Sequence, residues 1–372
     1  MARPRPVLLM VRELGIGGTE RQLAQTAMTL DRSRFEPHVA CFWESGFRGE
    51  ELRAADVPIV RLPVRSFASW SAAAGALQMG RYLRLHGISL VHTFDVPMNL
   101  FGVPAARFFR TPVVISSQRA HRSLTPGWQT QMLRVTDRLV DAIVVNSLAV
   151  ARELTEESRV PASLIHLWRN SIDLTRFYPG RRRMPQLADA SLVIGVVCAL
   201  RPEKSLETLL DAFAQVRNLR PGLKLAIVGD GPEAPELKAR SEALGLSDAC
   251  WFFPAASNVP EWLRSIDIFV LPSRSEAFSN SLMEAMACGC CAVASDAGGN
   301  PELVTHNATG MLFPVGDADT LAQRLAVGIC EDEVRERLAA EGAAFLHDNF
   351  SVEAAAQRIS GLYESLLNNA GC

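Results

Sequence analysis

The stretch DIFVLPSRSEAFSNSLMEAMACGCCAVAS, residues 267–295, predicts a strand, a loop, a helix and a second strand in a single run. Its two ends are short apolar runs, whereas its middle has the Ala, Met and Leu content of a helix. A β–α–β unit of this kind is typical of a parallel sheet that is covered by helices on both faces. Glu276 lies in the loop and Glu284 in the first turns of the helix, eight positions apart.

The same alternation runs through the chain on both sides of a polar break. Strand-like and helical segments alternate over residues 1–170, and the pattern restarts at residues 191–351. Between them, residues 171–190 carry Pro, Gly and three consecutive arginines, which predicts a linker. With 372 residues, we therefore expect two doubly wound, Rossmann-like α/β domains. Ligands of such domains bind beyond the carboxyl ends of the strands, and a cleft between two domains is the expected site.

Charge is distributed unevenly between the two halves of the chain. Residues 1–170 hold 21 Arg, no Lys and 14 acidic residues, a balance of +7, whereas residues 171–372 have a balance of −9. The basic half fits contact with phosphates or with an anionic membrane surface, or it reflects a dispersed arginine excess, and composition leaves these alternatives open. We expect no nucleic-acid partner.

No apolar run reaches membrane-spanning length, and the eight cysteines show no paired spacing. Thiols in a reducing compartment fit this pattern better than a disulfide framework. We therefore expect a cytoplasmic protein, peripheral at the inner membrane surface if the basic half docks there.

Arg201 and Lys204 stand between a predicted strand and a predicted helix, where free helix amides attract anions. Two cations three positions apart are able to converge on one diphosphate. The alternative is a solvated basic loop that pairs with Glu203 or Glu207, and the spacing alone favours that alternative.

Six segments, in this order, resemble the retaining glycosyltransferases of GT-B fold and family 4 type (glycosyl transferases group 1). The resemblance covers nearly the whole chain and is strongest over residues 168–315. The segments are GIGGTER (15–21), NSIDLTRFYP (170–179), LRPEKSLETLLDAF (200–213), IVGDGPE (227–233), SEAFSNSLMEAMACG (275–289) and SDAGGNPELV (295–304).

The resemblance implies roles for residues in the second domain. It places Arg201 and Lys204 at the diphosphate leaving group, Glu276 at the donor sugar and Glu284 at the ribose, where a carboxylate suits a vicinal diol. Ser279 or Asn280 is the expected N-cap of the helix. The implied donor contacts beyond these acidic and basic residues are Phe278, Ser279, Asn280, Ser281 and Gly229.

In the first domain the resemblance implies that the Gly17–Gly18 loop faces the cleft beside the donor phosphates, although a plain tight turn explains these glycines too. His92 and Asp95 at one strand end are candidates for acceptor or sugar contacts. Gln118, Arg119 and His121 at another strand end are further candidates. Many relatives carry a His at the second strand end, and here Gln118 or Arg119 takes that place. A histidine that is satisfied inside the fold is an equal alternative for His92.

The resemblance implies transfer of a sugar from a nucleotide-diphosphate sugar to an acceptor hydroxyl, with retention at the anomeric carbon. A UDP-sugar is favoured and a GDP-sugar is open, and the acceptor is a glycan or a lipid-linked glycan. We expect no metal and no cofactor, because cationic side chains stabilise the leaving group. The resemblance also implies that the last helix, at about 352–372, packs back on the first domain.

Two alternatives stay open at this point. One is a nucleotide-sugar epimerase of the same fold, for which an acid and a base carboxylate are not evident in the sequence. The other is a non-catalytic sugar-nucleotide-binding module. A nicotinamide dehydrogenase is disfavoured, since GIGGTE lacks the full glycine pattern of a dinucleotide fold.

Overall fold

The computed structural model describes residues 3–371. The chain divides into two compact units. The first runs up to Ser171 and is completed by the segment from Val352 onward, and the second is Ile172–Ser351. Each unit has its own hydrophobic core around its own parallel sheet.

The first unit contains a seven-stranded parallel sheet. Its strands are β1 Arg5–Met10, β2 Phe35–Cys41, β3 Ile59–Arg61, β4 Leu90–Thr93, β5 Val113–Gln118, β6 Ala142–Val145 and β7 Ile165–Leu167. Their order in the sheet is β3-β2-β1-β4-β5-β6-β7. The strands of the sheet's middle are almost wholly buried, because helices cover both faces.

Six helices connect these strands. They are α1 Gly18–Thr29, α2 Phe47–Ala54, α3 Trp70–Leu85, α4 Val96–Phe108, α5 Gly127–Thr136 and α6 Leu148–Glu156. Helix α1 packs against α2, and α4 packs against both α3 and α5. Because the strand order reverses between β1 and β4, right-handed crossovers place these two helix groups on opposite faces of the sheet.

The second unit repeats this plan with six parallel strands in the order β10-β9-β8-β11-β12-β13. The strands are β8 Leu192–Val197, β9 Leu223–Val228, β10 Cys250–Phe253, β11 Ile268–Leu271, β12 Cys291–Ser295 and β13 Met311–Phe313. The helices are α7 Leu206–Val216, α8 Ala234–Ala243, α9 Val259–Arg264, α10 Asn280–Ala287, α11 Ala318–Cys330 and α12 Asp332–Asn349. The β–α–β unit predicted over residues 267–295 is confirmed as β11–α10–β12, with both strands parallel.

The last helix, α13 (Val352–Asn369), packs on the first unit, as the resemblance implies. Tyr363 is fully buried there and meets Phe35 edge-on, with ring centroids 5.9 Å apart. The indole Nε1 of Trp168 donates a hydrogen bond of 3.0 Å to the carbonyl of Ala355. Ile359 and Leu367 join the same core, so the apolar face of this helix completes the first unit rather than the second.

Residues 171–190 do not form a free-standing linker. From Ile172 onward they belong to the second unit, where Phe177 and Leu187 are buried in its core. Arg183 forms an ion pair of 2.6 Å with Asp267. The polar composition that predicted a linker therefore reflects surface arginines on a segment whose few apolar side chains anchor it.

The short edge strand β7 was not predicted, because His166 interrupts its apolar run. Within residues 3–371, no helix combines the length and the apolar character that crossing a bilayer requires. All seven cysteines of this range are free thiols, and five of them are buried.

Candidate functional site

The strand order of the second sheet reverses between β8 and β11, which are hydrogen-bonded neighbours. Loops that leave the carboxyl ends of two such strands run in opposite directions and open a crevice, where open α/β sheets bind ligands. The loop after β8 carries Arg201 and Lys204, and the loop after β11 carries Glu276. The fold therefore brings these three predicted site residues to one edge of the sheet.

Lys204 and Glu276 form an ion pair that joins the two loops. The Nζ of Lys204 donates to Oε2 of Glu276 over 2.6 Å, and both side chains are largely buried. Burial alone would lower the pKa of Lys204, but the Glu276 carboxylate outweighs burial and raises that pKa. The lysine therefore stays charged. The sequence offered Glu203 and Glu207 as alternative partners, whereas the lysine pairs with an acid 72 positions away.

Arg274, which was not predicted, ties the same loops together. Its backbone N–H donates to the carbonyl of Glu203 over 2.8 Å, and its guanidinium contacts Oγ of Ser205 and the carboxylate of Glu207. Ser205 itself adopts a left-handed conformation, with φ of 51°, as it turns the chain from a short 3-10 helix into α7. The sequence signal available for Arg274 was a basic residue two positions before Glu276, in the loop SRSEAFS (273–279).

Arg201 contrasts with Lys204. Its side chain is 64% exposed, and its guanidinium lies 4.0 Å from Oε1 of Glu203, which is too far for a charge-assisted hydrogen bond. The structure thus holds one cation of the loop in place and leaves the other accessible to solvent. An accessible guanidinium beside a buried ammonium suits a diphosphate that arrives from solvent.

Gly229 follows β9 and holds a backbone conformation with φ of 150°. A Cβ at this position would lie 1.8 Å from the carbonyl oxygen of Cys198, so no other residue fits without moving the backbone. The glycine thus allows the loop after β9 to approach the end of β8. Gly231 makes a similar approach, since its Cβ would lie 2.2 Å from the carbonyl oxygen of Leu200.

Helix α10 begins at Asn280 and is capped by Ser279, whose Oγ accepts from the backbone N–H of Leu282 over 3.3 Å. Of the two predicted caps, the structure thus selects Ser279. Glu284 lies in the second turn of the helix and is buried. Helix α10, which follows the Glu276 loop, therefore fixes the position of the Glu284 carboxylate.

The three other predicted donor contacts of this segment differ in their surroundings. Phe278 is buried and packs against Phe350, with ring centroids 5.7 Å apart, so its ring serves the core of the unit. Asn280 and Ser281 are half-buried at the start of α10, and the Oγ of Ser281 lies 3.2 Å from that of Ser279. A polar contact to a ligand is open to these two side chains and not to the phenyl ring.

The neighbouring strand β12 supports the Glu276 loop from the other side. The Oγ of Ser295 donates to the carbonyl of Ser273 over 2.6 Å, and the N–H of Gly299 donates to the carbonyl of Glu276 over 3.0 Å. Asn300 is fully buried, and its Nδ2 donates to the carbonyl of Ser295. Residues of the SDAGGNPELV segment thus fix the Glu276 loop. The sequence analysis gave this segment as part of the family resemblance and assigned its residues no role.

In the first unit the corresponding reversal of strand order lies between β1 and β4. Gly17 and Gly18 are exposed at the N-terminus of α1, after β1, and no side chain caps this helix. Uncapped amides at a helix start suit an anion. The carboxylate of Glu20 lies beside Gly17 and is the group that an anion there would displace.

Asp95, after β4, is used by the fold. Its Oδ2 accepts from the N–H of Arg12 over 2.7 Å, and its Oδ1 accepts from the N–H of Met98 over 2.8 Å. The residue therefore caps α4 and holds the loop after β1. Burial raises the pKa of Asp95 to about 6, in spite of these two amide donors.

His92 is fully buried, and both of its ring nitrogens have partners within the first unit. Nδ1 lies 2.6 Å from the hydroxyl of Tyr363, and Nε2 lies 2.8 Å from Oγ of Ser117. Burial lowers the pKa of His92 well below the ordinary value, which keeps the imidazole neutral. Of the two interpretations offered for His92, the structure favours the satisfied histidine, because neither nitrogen is left for a sugar.

Gln118, Arg119 and His121 follow β5 and differ from one another. Gln118 is buried and donates to the carbonyl of Ala120 over 2.7 Å. His121 pairs through Nδ1 with Glu153 over 2.6 Å. Burial alone would raise the pKa of Glu153, but the hydrogen bond and charge of His121, together with the N–H groups of Arg122 and Ser123, outweigh burial and lower that pKa.

Arg119 is the exception among these residues. Its guanidinium lies between the rings of Phe94 and Trp168, 6.0 and 5.2 Å from their centroids, and donates to the side chain of Asn170. Burial lowers the pKa of Arg119 to about 9. One of its terminal nitrogens is buried without a hydrogen-bond partner in the described part of the chain. This side chain is therefore the one in the group with unused donor capacity.

Known families match both halves of the chain. Residues 16–176 match the model of Glycosyltransferase Family 4, and residues 181–345 match that of Glycosyl transferases group 1. The second match includes the Lys204–Glu276 pair and Glu284, and the first includes the glycine loop before α1.

Individual relatives agree with these matches. The lipopolysaccharide core biosynthesis mannosyltransferase LpsB of Rhizobium meliloti is 30% identical over 264 residues, which are 68% of this chain and 71% of the relative. A GDP-mannose-dependent alpha-mannosyltransferase of Mycobacterium tuberculosis is 28% identical over 245 residues, which are 64% of this chain and 61% of the relative. The chain thus spans less than two thirds of that second relative.

Among solved structures, Anabaena Alr3699/HepE in complex with UDP and glucose superposes with a TM-score of 0.84. The match covers 96% of this chain and 99% of that one at 22% identity, so it supports the fold alone. Two Rossmann-like units, ordered motifs and matches on both halves lead to one assignment. The chain belongs to glycosyltransferase family 4, the glycosyl transferases group 1, and has the GT-B fold.

Proposed function

We propose that this glycosyltransferase moves a sugar from a nucleotide-diphosphate sugar to a hydroxyl of a glycan or a lipid-linked glycan, with retention at the anomeric carbon. The observation that carries the proposal is the Lys204–Glu276 ion pair of 2.6 Å at the β8/β11 reversal point. It places a charged ammonium where the sheet binds ligands, and where a departing diphosphate needs positive charge.

The four charged candidate site residues of the second unit each have a role in this proposal. Lys204 and Arg201 neutralise the negative charge that develops on the diphosphate as the glycosidic bond breaks. Glu276 holds Lys204 in place, and its carboxylate accepts hydrogen bonds from the hydroxyls of the donor sugar. Glu284 accepts hydrogen bonds from the ribose. Because two cations supply the charge, the reaction needs no metal ion.

Arg119 is the first-unit residue that we propose for the acceptor side. A buried guanidinium with an unused donor and no paired carboxylate is costly unless a ligand completes it. An acceptor or donor group that carries a phosphate or a carboxylate suits it. His92, Asp95 and Gln118 have internal partners and are not part of the proposed chemistry.

GDP-mannose and UDP-hexoses are the two donor classes to compare. Mannose is supported by the names of two relatives, a lipopolysaccharide core mannosyltransferase and a GDP-mannose-dependent enzyme, and GDP by the second name alone. UDP is the nucleotide that the resemblance favours, and the HepE structure contains UDP.

The test is a thermal-stability panel with UDP-hexoses, GDP-mannose and NAD, followed by nucleotide release with glycan acceptors. We expect one nucleotide sugar to raise the melting temperature and to release its nucleotide only when an acceptor is present. The configuration at the new linkage, read by NMR, checks retention. Stabilisation by NAD alone, or conversion of the donor without an acceptor into an epimer, would refute the transferase proposal.

A further inference from the structure

Large apolar side chains are exposed unevenly over this molecule. Within residues 3–371, seventeen such side chains are exposed, and fourteen of them precede residue 172 although the two units are similar in length. Single exposed apolar residues need no explanation, but a concentration of them indicates an interaction surface. Eight of the fourteen lie between Trp70 and Val135.

Helix α5 carries the first group, which we call the α5 stripe: Trp128, Met132 and Val135, with Arg134 and, from the 3-10 turn Asp137–Leu139 that follows the helix, Arg138 along one side. The three apolar residues are spaced four and three apart, so they share one face of the helix. Trp128 is 59% exposed, and the other two are about half exposed. The helix buries Leu133 and Thr136 on its inner side, and so its larger apolar side chains face outward.

Helix α3 carries the second group, which we call the α3 stripe: Trp70, Leu77, Arg81, Arg84 and Leu85. Leu77, Arg81 and Leu85 share one face of the helix because they are four residues apart. Trp70 lies seven residues before Leu77 and Arg84 three residues after Arg81, so both lie along the same side. Trp70 is 91% exposed and Leu85 81% exposed. The stripe is apolar at both ends and doubly charged near its C-terminal end.

The end of α4 lies between the two stripes and adds Phe108. Helix α4 packs against both α3 and α5. Phe109 fits over Gly80 of α3, where an added Cβ would lie 2.4 Å from its ring. Its neighbour Phe108 is 78% exposed, followed by the exposed Arg110. In the segment RFFR (107–110), Phe109 therefore packs against α3 and Phe108 is exposed to solvent.

The sequence that carries these stripes has a strong excess of positive charge. From residue 57 to residue 138 it contains ten arginines and two acids, which are Asp95, the cap of α4, and Asp137, the partner of Arg122. Within the described residues, no carboxylate pairs with Arg81, Arg84, Arg134 or Arg138, whereas Arg107 and Arg122 have ion pairs. Exposed arginines that the protein leaves unneutralised suit a partner that carries many negative charges.

We propose that the α3 and α5 stripes, with Phe108, dock this glycosyltransferase on an anionic lipid bilayer. Trp, Phe, Leu and Met side chains enter the boundary between headgroups and acyl chains, and the adjacent arginines bind anionic headgroups. Apolar area and positive charge together favour a bilayer over a nucleic acid, because bases stack only on the Trp and Phe rings, whereas a bilayer also buries the Leu, Met and Val side chains of the stripes. Docking on a bilayer implies a lipid-linked acceptor. That implication rests on the proposed function, whereas the docking itself does not.

The test is flotation of the full chain with vesicles of phosphatidylcholine alone and of phosphatidylcholine with about one third phosphatidylglycerol, which gives the surface a negative potential. We expect binding to the anionic vesicles, weakened by salt. Arg134→Gln with Arg138→Gln lowers the partition coefficient on the order of 30-fold, at roughly fivefold for each arginine. Trp128→Ser with Met132→Ser lowers it about tenfold or more.

Matched controls come from the second unit, where Leu219→Ser and Arg337→Gln remove an exposed apolar and an exposed basic side chain. Both should float as the wild type does. Failure of the wild type to bind anionic vesicles, or equal binding of all variants, would overturn the proposal. A dimer that Trp128→Ser with Met132→Ser converts to a monomer in size-exclusion chromatography would overturn it in favour of a second copy of this chain. Flotation needs no donor, so its outcome is independent of the transferase proposal.

Discussion

The two units share one sheet plan and differ in how they use the polar residues at its reversal point. At β8/β11 of the second unit, Lys204, Glu276 and Arg274 join two loops, and Arg201 remains exposed beside them. At β1/β4 of the first unit, Asp95 caps a helix and binds a backbone amide. In the second unit the polar residues hold the loops and keep a cation accessible to solvent, whereas in the first unit both oxygens of Asp95 accept backbone amides.

The two units also differ in the apolar residues and the charges on their surfaces. The first unit exposes most of the large apolar side chains of the described chain and has an arginine-rich stretch with two acids, whereas the second half of the sequence is acidic. This difference supports the proposal that donor chemistry and surface recognition are carried by different units. Substitutions that separate these roles provide the tests below.

The largest effect is expected for Lys204→Met. Loss of the ammonium that faces the leaving diphosphate should lower kcat/KM by about 10²- to 10³-fold, the scale on which one electrostatic contact to developing charge acts. Nucleotide release with the preferred donor measures this effect. The melting temperature should also fall, because Glu276 loses its ammonium partner, and activity is therefore compared at a temperature where both proteins are folded.

Lys224→Met is the matched control for this substitution. Lys224 lies at β9 in the same unit, where its Nζ donates to the carbonyl of Asp248 over 2.8 Å and lies over the ring of Trp251. Its loss should leave kcat/KM unchanged. Equal losses in both variants would mean that Lys204 has no special place in catalysis.

The next effect is expected in the first unit and on stability instead of activity. His92→Phe leaves the buried hydroxyls of Tyr363 and Ser117 without their imidazole partner. The free energy of unfolding should fall by about 2–3 kcal/mol, as two unsatisfied buried groups imply. Denaturant unfolding measures this loss, while kcat/KM of the folded variant should stay near that of the wild type.

The double variant His92→Phe with Tyr363→Phe refines this test. Removal of both partners should cost less than the sum of the two single substitutions, because one hydroxyl no longer lacks a partner. A drop of kcat/KM beyond tenfold in folded His92→Phe would show instead that the imidazole contacts a substrate.

A smaller effect is expected for Glu284→Gln, which keeps the shape of the side chain and removes its charge. If the carboxylate accepts the ribose hydroxyls, the KM for the donor should rise about tenfold, the value of one charged hydrogen bond. Steady-state kinetics separate this rise from a change in kcat. Glu333→Gln, in the exposed first turn of α12, is the control and should change neither constant. A fall in kcat with an unchanged KM would place Glu284 at the reaction rather than at the nucleotide.

The smallest effect concerns pH and Asp95. The pKa of Asp95 is about 6 in the folded protein and lies near 3.8 in an unfolded chain. The folded state therefore binds more protons between these values, and the contribution of Asp95 to stability grows as pH falls from 7 to 5. Relative to Asp95→Asn, the wild type should gain about 1 kcal/mol over this interval. Denaturant unfolding of both proteins at the two pH values measures it, and a constant difference would contradict the raised pKa.

Much of the fold was predictable because its signals are local. Short apolar runs, helical segments and glycine turns specify β–α units, and the repetition of these units predicted two doubly wound domains. The short β7 and the anchored segment after Ile172 escaped prediction, since His166 interrupts the apolar run of β7 and an arginine-rich surface resembles a linker. The candidate site was predictable in part, through the ordered motifs around Arg201, Lys204, Glu276 and Glu284.

The amino-acid sequence alone specified the α/β class, the family resemblance and the acidic and basic residues that stand at strand ends. It did not specify their partners, because a hydrogen bond between residues 72 or 271 positions apart depends on which strands become neighbours. Parallel strands are joined through helices, so adjacency in the sheet is a property of the whole fold and not of any local segment. For that reason Lys204 and Glu276 form a pair at the carboxyl ends of β8 and β11, whereas His92 is enclosed by the last helix of the chain.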